Sequence, residues 1–133
     1  MPEKVLAPNP KGTLTVQIHS LRSDAGIVRL TLFGSSDGFP SDIAKAFRKA
    51  TGKAEGRKCV IVLNDLPPGD YAIALLHDEN NNNKMDTNVF GLPKEGYGAS
   101  NDAKITFGPP KYEEAQFTIT EDPKVIRIKM RYM

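Results

Sequence analysis

A period of two in the apolar residues constrains this chain more than any other feature. In TLTVQIHSL, the residues Leu14, Val16 and Ile18 fall on one side and Thr13, Thr15, Gln17 and His19 on the other. That is the pattern of a strand with one buried and one wet face. The stretch IVRLTLF repeats it with Val28, Leu30 and Leu32. KVIRIKMRY sets Ile126, Ile128 and Met130 against Arg127, Lys129 and Arg131. The turn RSDAG between the first two runs predicts an antiparallel hairpin. KCVIVLND and YAIALLHD, joined by LPPGD, predict a second hairpin-like pair, apolar on both faces as strands inside a sandwich are. AKITF and AQFTIT add short strands. Short strands punctuated by Gly and Pro predict an all-β fold, a single antiparallel Greek-key β-sandwich of about seven strands. It fills residues 13–133 behind a disordered tail of residues 1–12.

Two segments break the alternation. SDIAKAFRKATG offers Ser41 as an N-cap, Ile43, Phe47 and Ala50 at helical spacing and Gly52 as a stop, so one short helix is expected over about 41–51. A long loop is expected over about 78–101. Loops of that length in compact domains are ordered for a purpose or disordered. This one and the residues just after it carry Phe90, Leu92, Tyr97, Phe107 and Tyr112, which tend to pack, so an ordered lid is the expectation.

Charge excludes one class of partner. With 18 basic and 16 acidic residues spread along 133 positions and 8% aromatics, the chain has neither a cationic block nor base-stacking aromatics, so no nucleic acid is expected as partner. No run reaches the length of a membrane-spanning helix, and MPEKVLAPNPKG has no apolar leader core. Neither a membrane span nor a leader is therefore expected in the chain as given, and the expected assembly is a monomer or weak oligomer. The single cysteine, Cys59, lies in the apolar run CVIVL and is expected to be buried and inert. The basic side of the last strand is expected to be a solvated face that also blunts an edge.

The tract HDENNNNKMDTN carries the one chemical motif. Calcium takes six to eight oxygens, which short loops supply at alternate positions. Asp78, Asn80 and Asn82 fall at loop positions one, three and five, the Lys84 carbonyl at seven and Asp86 at nine, the front half of an EF-hand-like loop. Position six is Asn83 in place of glycine, and position twelve is Val89 in place of a bidentate glutamate. Calcium there would be weak, in the range of roughly 10⁻⁴ to 10⁻³ M, unless Glu95 or Asp102 folds back to add a carboxylate. The competing reading is a metal-free asparagine turn held by side-chain to backbone bonds. His77, at the strand end, is expected to hydrogen-bond loop backbone, and His19 to face outward. No serine, cysteine or carboxylate stands in a nucleophile motif.

The series LPPGDYAIALLHDENNNNKMDTNVFGLPKEGYGASNDA, then FGPPKYEEAQF, together with LRSDAGIVRLTLF and DGFPSD upstream, resembles an uncharacterised bacterial family, domain of unknown function twenty-one forty-one. The resemblance covers nearly the whole chain. The family shows glycines inside the loop where Asn81 and Asn83 stand here. It implies a transthyretin-like sandwich and a periplasmic or secreted location. The resemblance carries no established activity; the leading expectation is a non-catalytic extracytoplasmic binding or accessory module, with an unknown small ligand or protein partner near the long loop. One alternative is a small hydrolase, since the transthyretin-like enzymes that open hydroxyisourate end in Tyr-Arg-Gly-Ser, a motif from which MRYM departs. The other is a purely structural, oligomerising protein.

Overall fold

A computed structural model describes residues 10–82, 95–105 and 108–132. Eight strands are found among them: β1 Gly12–His19, β2 Ile27–Phe33, β3 Arg48–Gly52, β4 Cys59–Leu66, β5 Gly69–Asp78, β6 Gly96–Ala99, β7 Phe117–Ile119 and β8 Lys124–Lys129. They form two stacked sheets, one ordered β4-β1-β8 and the other β3-β2-β5-β6, with β7 also pairing β5. The expected sandwich is present. The fully antiparallel layout is not, because β1 pairs β8 in parallel.

The alternation that predicted the strands also sorts their faces. Leu14, Val16 and Ile18 of β1, Val28, Leu30 and Leu32 of β2, and Ile128 of β8 are all buried in one continuous core. Arg127 and Lys129 are exposed opposite that core as expected, but Ile126 is only half-buried, and Met130 and Arg131 lie past the end of β8, where half-buried Arg131 bridges to Tyr97. Neither predicted hairpin forms. β1 pairs β4 and β8 while β2 pairs β3 and β5, so RSDAG crosses from one sheet to the other, as does the Pro67–Pro68 turn between β4 and β5. Neither connection carries the two-residue Asn-Gly type of turn that closes a tight hairpin, and an arch lets each strand join a different sheet over the same core.

β4 and β5 were expected to be apolar on both faces. Only β5 is buried so. Val60 and Val62 of β4 are exposed at 61% and 49%, whereas β5 runs through the middle of the larger sheet with cover on its outer side. That cover is a second small core of Ala72, Ala99, Ala103 and Ala115 with Phe39 and Tyr112. Phe39 stands edge-on to buried Phe33, and Tyr112 edge-on to Phe39, at 5.4 and 5.9 Å.

The helix expected over about 41–51 is absent. In its place are a single 3-10 turn, Ile43–Lys45, capped by Asp42 rather than Ser41, and then β3. Phe47 N–H is taken by Leu32 O at 2.8 Å, so pairing with β2 wins over local helical spacing. That spacing covered barely three turns, too few to hold a helix without an apolar face to bury. The described helix lies elsewhere, α1, Tyr112–Ala115, a single turn. AKITF forms no strand at Ala103–Ile105; its last two residues lie outside the described set. Of the expected tail, residues 1–9 lie outside that set and β1 already begins at Gly12. Among the described residues, no helix is long and apolar enough to cross a membrane.

Candidate functional site

The predicted loop chemistry converges where β5 leaves the larger sheet, and there each of the first three motif residues is tied to a partner far away in sequence. His77 is fully buried. Its Nε2 lies 2.8 Å from Ala25 O and its Nδ1 2.7 Å from the Tyr132 hydroxyl. A carbonyl only accepts, so Nε2 carries the donated proton and Nδ1 accepts from Tyr132. The Tyr132 oxygen in turn accepts Arg22 N–H at 3.0 Å. The expectation that His77 binds loop backbone is met, and both ring nitrogens are committed.

Asp78 is also fully buried. Its Oδ2 accepts from Arg29 Nε at 2.7 Å and its Oδ1 from Asn82 N–H at 3.0 Å. Glu79 binds the Arg22 guanidinium through both carboxylate oxygens and accepts Ser23 O–H at 2.8 Å. The Arg22 bonds hold the Glu79 carboxyl below its usual range, against the desolvation that opposes them. Arg22 also lies over the Tyr132 ring, 4.6 Å from its centre. Burial raises the Tyr132 hydroxyl above the ordinary tyrosine range.

The connection RSDAG, which composition marks only as polar, supplies the other half of these contacts. Arg22, Ser23 and Ala25 hold Glu79 and His77 as above, and Asp24 accepts Gly56 and Arg57 N–H groups at 2.9 and 2.7 Å. Gly26 has φ of 65°, and a Cβ there would stand 2.0 Å from Asp78 O, so only glycine fits. Gly96 likewise faces Tyr132 and His77, where a Cβ would come within 2.6 Å of the Tyr132 ring.

The five residues expected to ligate calcium separate into two groups. Asp78, Asn80 and Asn82 are described, and Asp78 pairs with Arg29 and accepts the Asn82 backbone N–H. Lys84 and Asp86 lie outside the described residues. Of the two candidate extra carboxylates, Glu95 does return to the loop root, where its Oε2 accepts Glu79 N–H at 3.0 Å. Asp102 instead accepts Lys129 N–H at 2.9 Å. Among the described residues no three His, Cys, Asp or Glu groups gather as a metal site. Cys59 is buried as expected, and desolvation raises its thiol. His19 is partly exposed on β1, in the other sheet from His77, and bonds Ser20 Oγ at 2.8 Å.

Sequence reasoning missed a groove beside this root. The outer face of the larger sheet places Arg29, Leu76 and Tyr97 in one cross-strand row, and Thr31, Ala74 and Ala99 in the next. The aromatic core covers the row beyond. Over these two rows lies a cavity of about 240 Å³, walled by Pro40, Ser41 and Ile43 after β2 and by Ile105, Pro109 and Pro110 after β6. Behind the groove Ser100 donates to Ala115 O at 2.5 Å and accepts Ile73 N–H at 2.9 Å, filling the gap between β6 and β7 along β5. The available signal was the even-numbered apolar set of β5, Ala72, Ala74 and Leu76, which a one-faced strand would not carry.

Two solved structures of a pilus-presented adhesin, Spy0125 (Cpa), one of them a cysteine-to-alanine mutant, are similar at 10% and 11% identity with TM-scores of 0.31 and 0.32. Each match covers 92% of this chain and 28% of the adhesin, so this chain spans about a quarter of its length. Among curated proteins none matches this sequence. The family described as uncharacterized proteins conserved in bacteria, DUF2141, matches residues 16–127, which takes in both the RSDAG connection and the strand-end motif that it anchors. The chain belongs to the DUF2141 family.

Proposed function

We infer that this protein is a non-catalytic binding module whose ligand occupies the groove on the outer face of the β3-β2-β5-β6 sheet, beside the root of the long loop. The observation that carries this reading is the cavity of about 240 Å³ over Thr31, Ala74 and Leu76, concave, mostly apolar and edged by a few polar groups, as small-ligand sites are. The non-catalytic part rests on His77, whose two nitrogens are spent on Ala25 and Tyr132 inside the fold and so cannot serve a substrate as base. A periplasmic or secreted setting belongs to the same proposal and is drawn from the family resemblance. The test is backbone amide NMR of the protein with a library of small apolar fragments. Binding fragments should move the amides of Ala74, Leu76 and Tyr97 together and lose that effect in Ala74→Phe, which fills the cavity. Fragments that bind without touching those amides, or a library with no binder, would sink the reading.

A further inference from the structure

The groove's polar groups narrow its ligand further, an inference that rests on the reading above. Arg29 lines one end of the cavity and Thr31 its floor, two residues apart on the same face of β2. The Arg29 guanidinium is held in place by Asp78 through Nε and by Asn81 Oδ1 through Nη2 at 2.8 Å. Among the described residues its Nη1 and the Thr31 hydroxyl make no hydrogen bond. A fixed donor and an adjustable hydroxyl therefore stand along an apolar floor.

Charge decides what they suit. The Arg29 charge is already matched by Asp78, whose carboxylate is fully buried behind it. A ligand carboxylate on the same guanidinium would face that second carboxylate, and like charges near one site oppose each other's ionisation. An ammonium would face the guanidinium itself. A neutral acceptor such as an amide carbonyl takes the guanidinium N–H without either repulsion, and the amide N–H finds its acceptor in the Thr31 oxygen. Size agrees: a cavity of roughly 150 Å³ takes a benzene ring, so about 240 Å³ holds a ring or branched aliphatic group with one small polar substituent.

We propose that the groove binds an uncharged ligand made of an apolar ring or branched chain bearing an amide, with the carbonyl at Arg29 and the amide N–H at the Thr31 hydroxyl. The test compares four probes by NMR titration: toluene, N-methylbenzamide, benzoate and benzylamine. The expected order is the amide tightest, benzoate weaker and benzylamine weakest. Thr31→Val, an isosteric change that suits a strand, should weaken the amide by about three- to ten-fold, the worth of one hydrogen bond, and leave toluene unchanged. Arg29→Lys, which keeps the charge opposite Asp78 but loses the planar fork, should weaken the amide as well. Benzoate binding tighter than the amide, or Thr31→Val weakening toluene and amide equally, would overturn the ligand class while leaving the groove a ligand site. Failure of all four probes, toluene included, to move the groove amides would overturn the site itself.

Discussion

Removing the hydroxyl of Tyr132 should destabilise the protein well beyond what one surface hydrogen bond is worth. Tyr132→Phe keeps the ring, and with it the contact of Arg22 at 4.6 Å and the edge-on approach to His77 at 6.0 Å. What goes is the donor to His77 Nδ1, an atom on a residue with no solvent exposure. Arg22 N–H also loses its acceptor, but it belongs to an exposed residue and water replaces the hydroxyl. The cost is therefore that of one buried acceptor left without a partner, about 1–3 kcal/mol. For a chain of 133 residues each kcal/mol moves the midpoint by about 3–5 °C, so Tm should fall by about 3–15 °C. Urea unfolding should show a lower midpoint at unchanged slope, the mark of a stability change without a change in unfolded-state exposure. Tyr112→Phe is the control, because its hydroxyl reaches Asp70 O at 3.2 Å in an exposed setting and its loss should cost less than about 0.5 kcal/mol. A Tyr132→Phe protein as stable as the parent, or no more affected than Tyr112→Phe, would refute the hydrogen-bond chain through His77.

Three further outcomes follow from the same geometry. Gly96→Ala should cost about 1–3 kcal/mol by overpacking, since the added Cβ meets the Tyr132 ring at 2.6 Å; Tyr132→Ala in the same chain should relieve part of that penalty, and a double mutant no better than the sum of the singles would count against it. Glu79 has its pKa lowered by Arg22, so its contribution to stability is full above the unfolded carboxyl value and is lost as pH falls through the folded one; Glu79→Gln should flatten the acid limb of a Tm-against-pH curve, and an unchanged limb would remove Glu79 from the account. Calcium at Asp78, Asn80, Asn82, the Lys84 carbonyl and Asp86 would have to draw Asp78 away from Arg29 or Asn82, so about 5 mM calcium is expected to raise Tm by no more than the same magnesium, and a calcium-selective rise of several degrees would show that the ion wins that exchange.

The legible part of the fold was whatever depends on period two. β1, β2 and β8 could be read directly, because each buries one face and wets the other, and a slip of one residue would reverse that. Strand partnership was not legible. Val16 could have packed equally well in a hairpin with β2 or in the opposite sheet over it, since the alternation specifies which face is buried and not which neighbour shares the ladder. The short helix was misread because Ile43, Phe47 and Ala50 satisfy helical spacing over a stretch where the backbone groups of Phe47 and Arg48 are taken by β2. In the site, the motif residues were visible but their work was not. Asp78 stands at position one of an EF-hand-like loop, and nothing in the sequence tells that Arg29, 49 positions earlier, pairs with it.

That same arginine joins the two parts of the site. Arg29 pairs with Asp78 and Asn81 at the loop root on one side and lines the groove on the other, so the order of the root and the shape of the groove are not independent. Asp78 in turn sits on Gly26 and its neighbour His77 on Ala25, which fixes the end of β5 against the RSDAG connection before Arg29 ever reaches the groove. The strand-end motif thus acts as a fastening: His77, Asp78 and Glu79 tie the end of β5 to the RSDAG connection and to β2, and Asp78 sets the Arg29 guanidinium beside an apolar floor. If the groove is the binding site proposed above, a change in the motif would alter ligand binding without touching ligand. Asp78→Asn, which keeps an acceptor for Asn82 N–H but loses the charge that positions Arg29, should weaken groove ligands that reach Arg29 while leaving a purely apolar probe such as toluene unaffected.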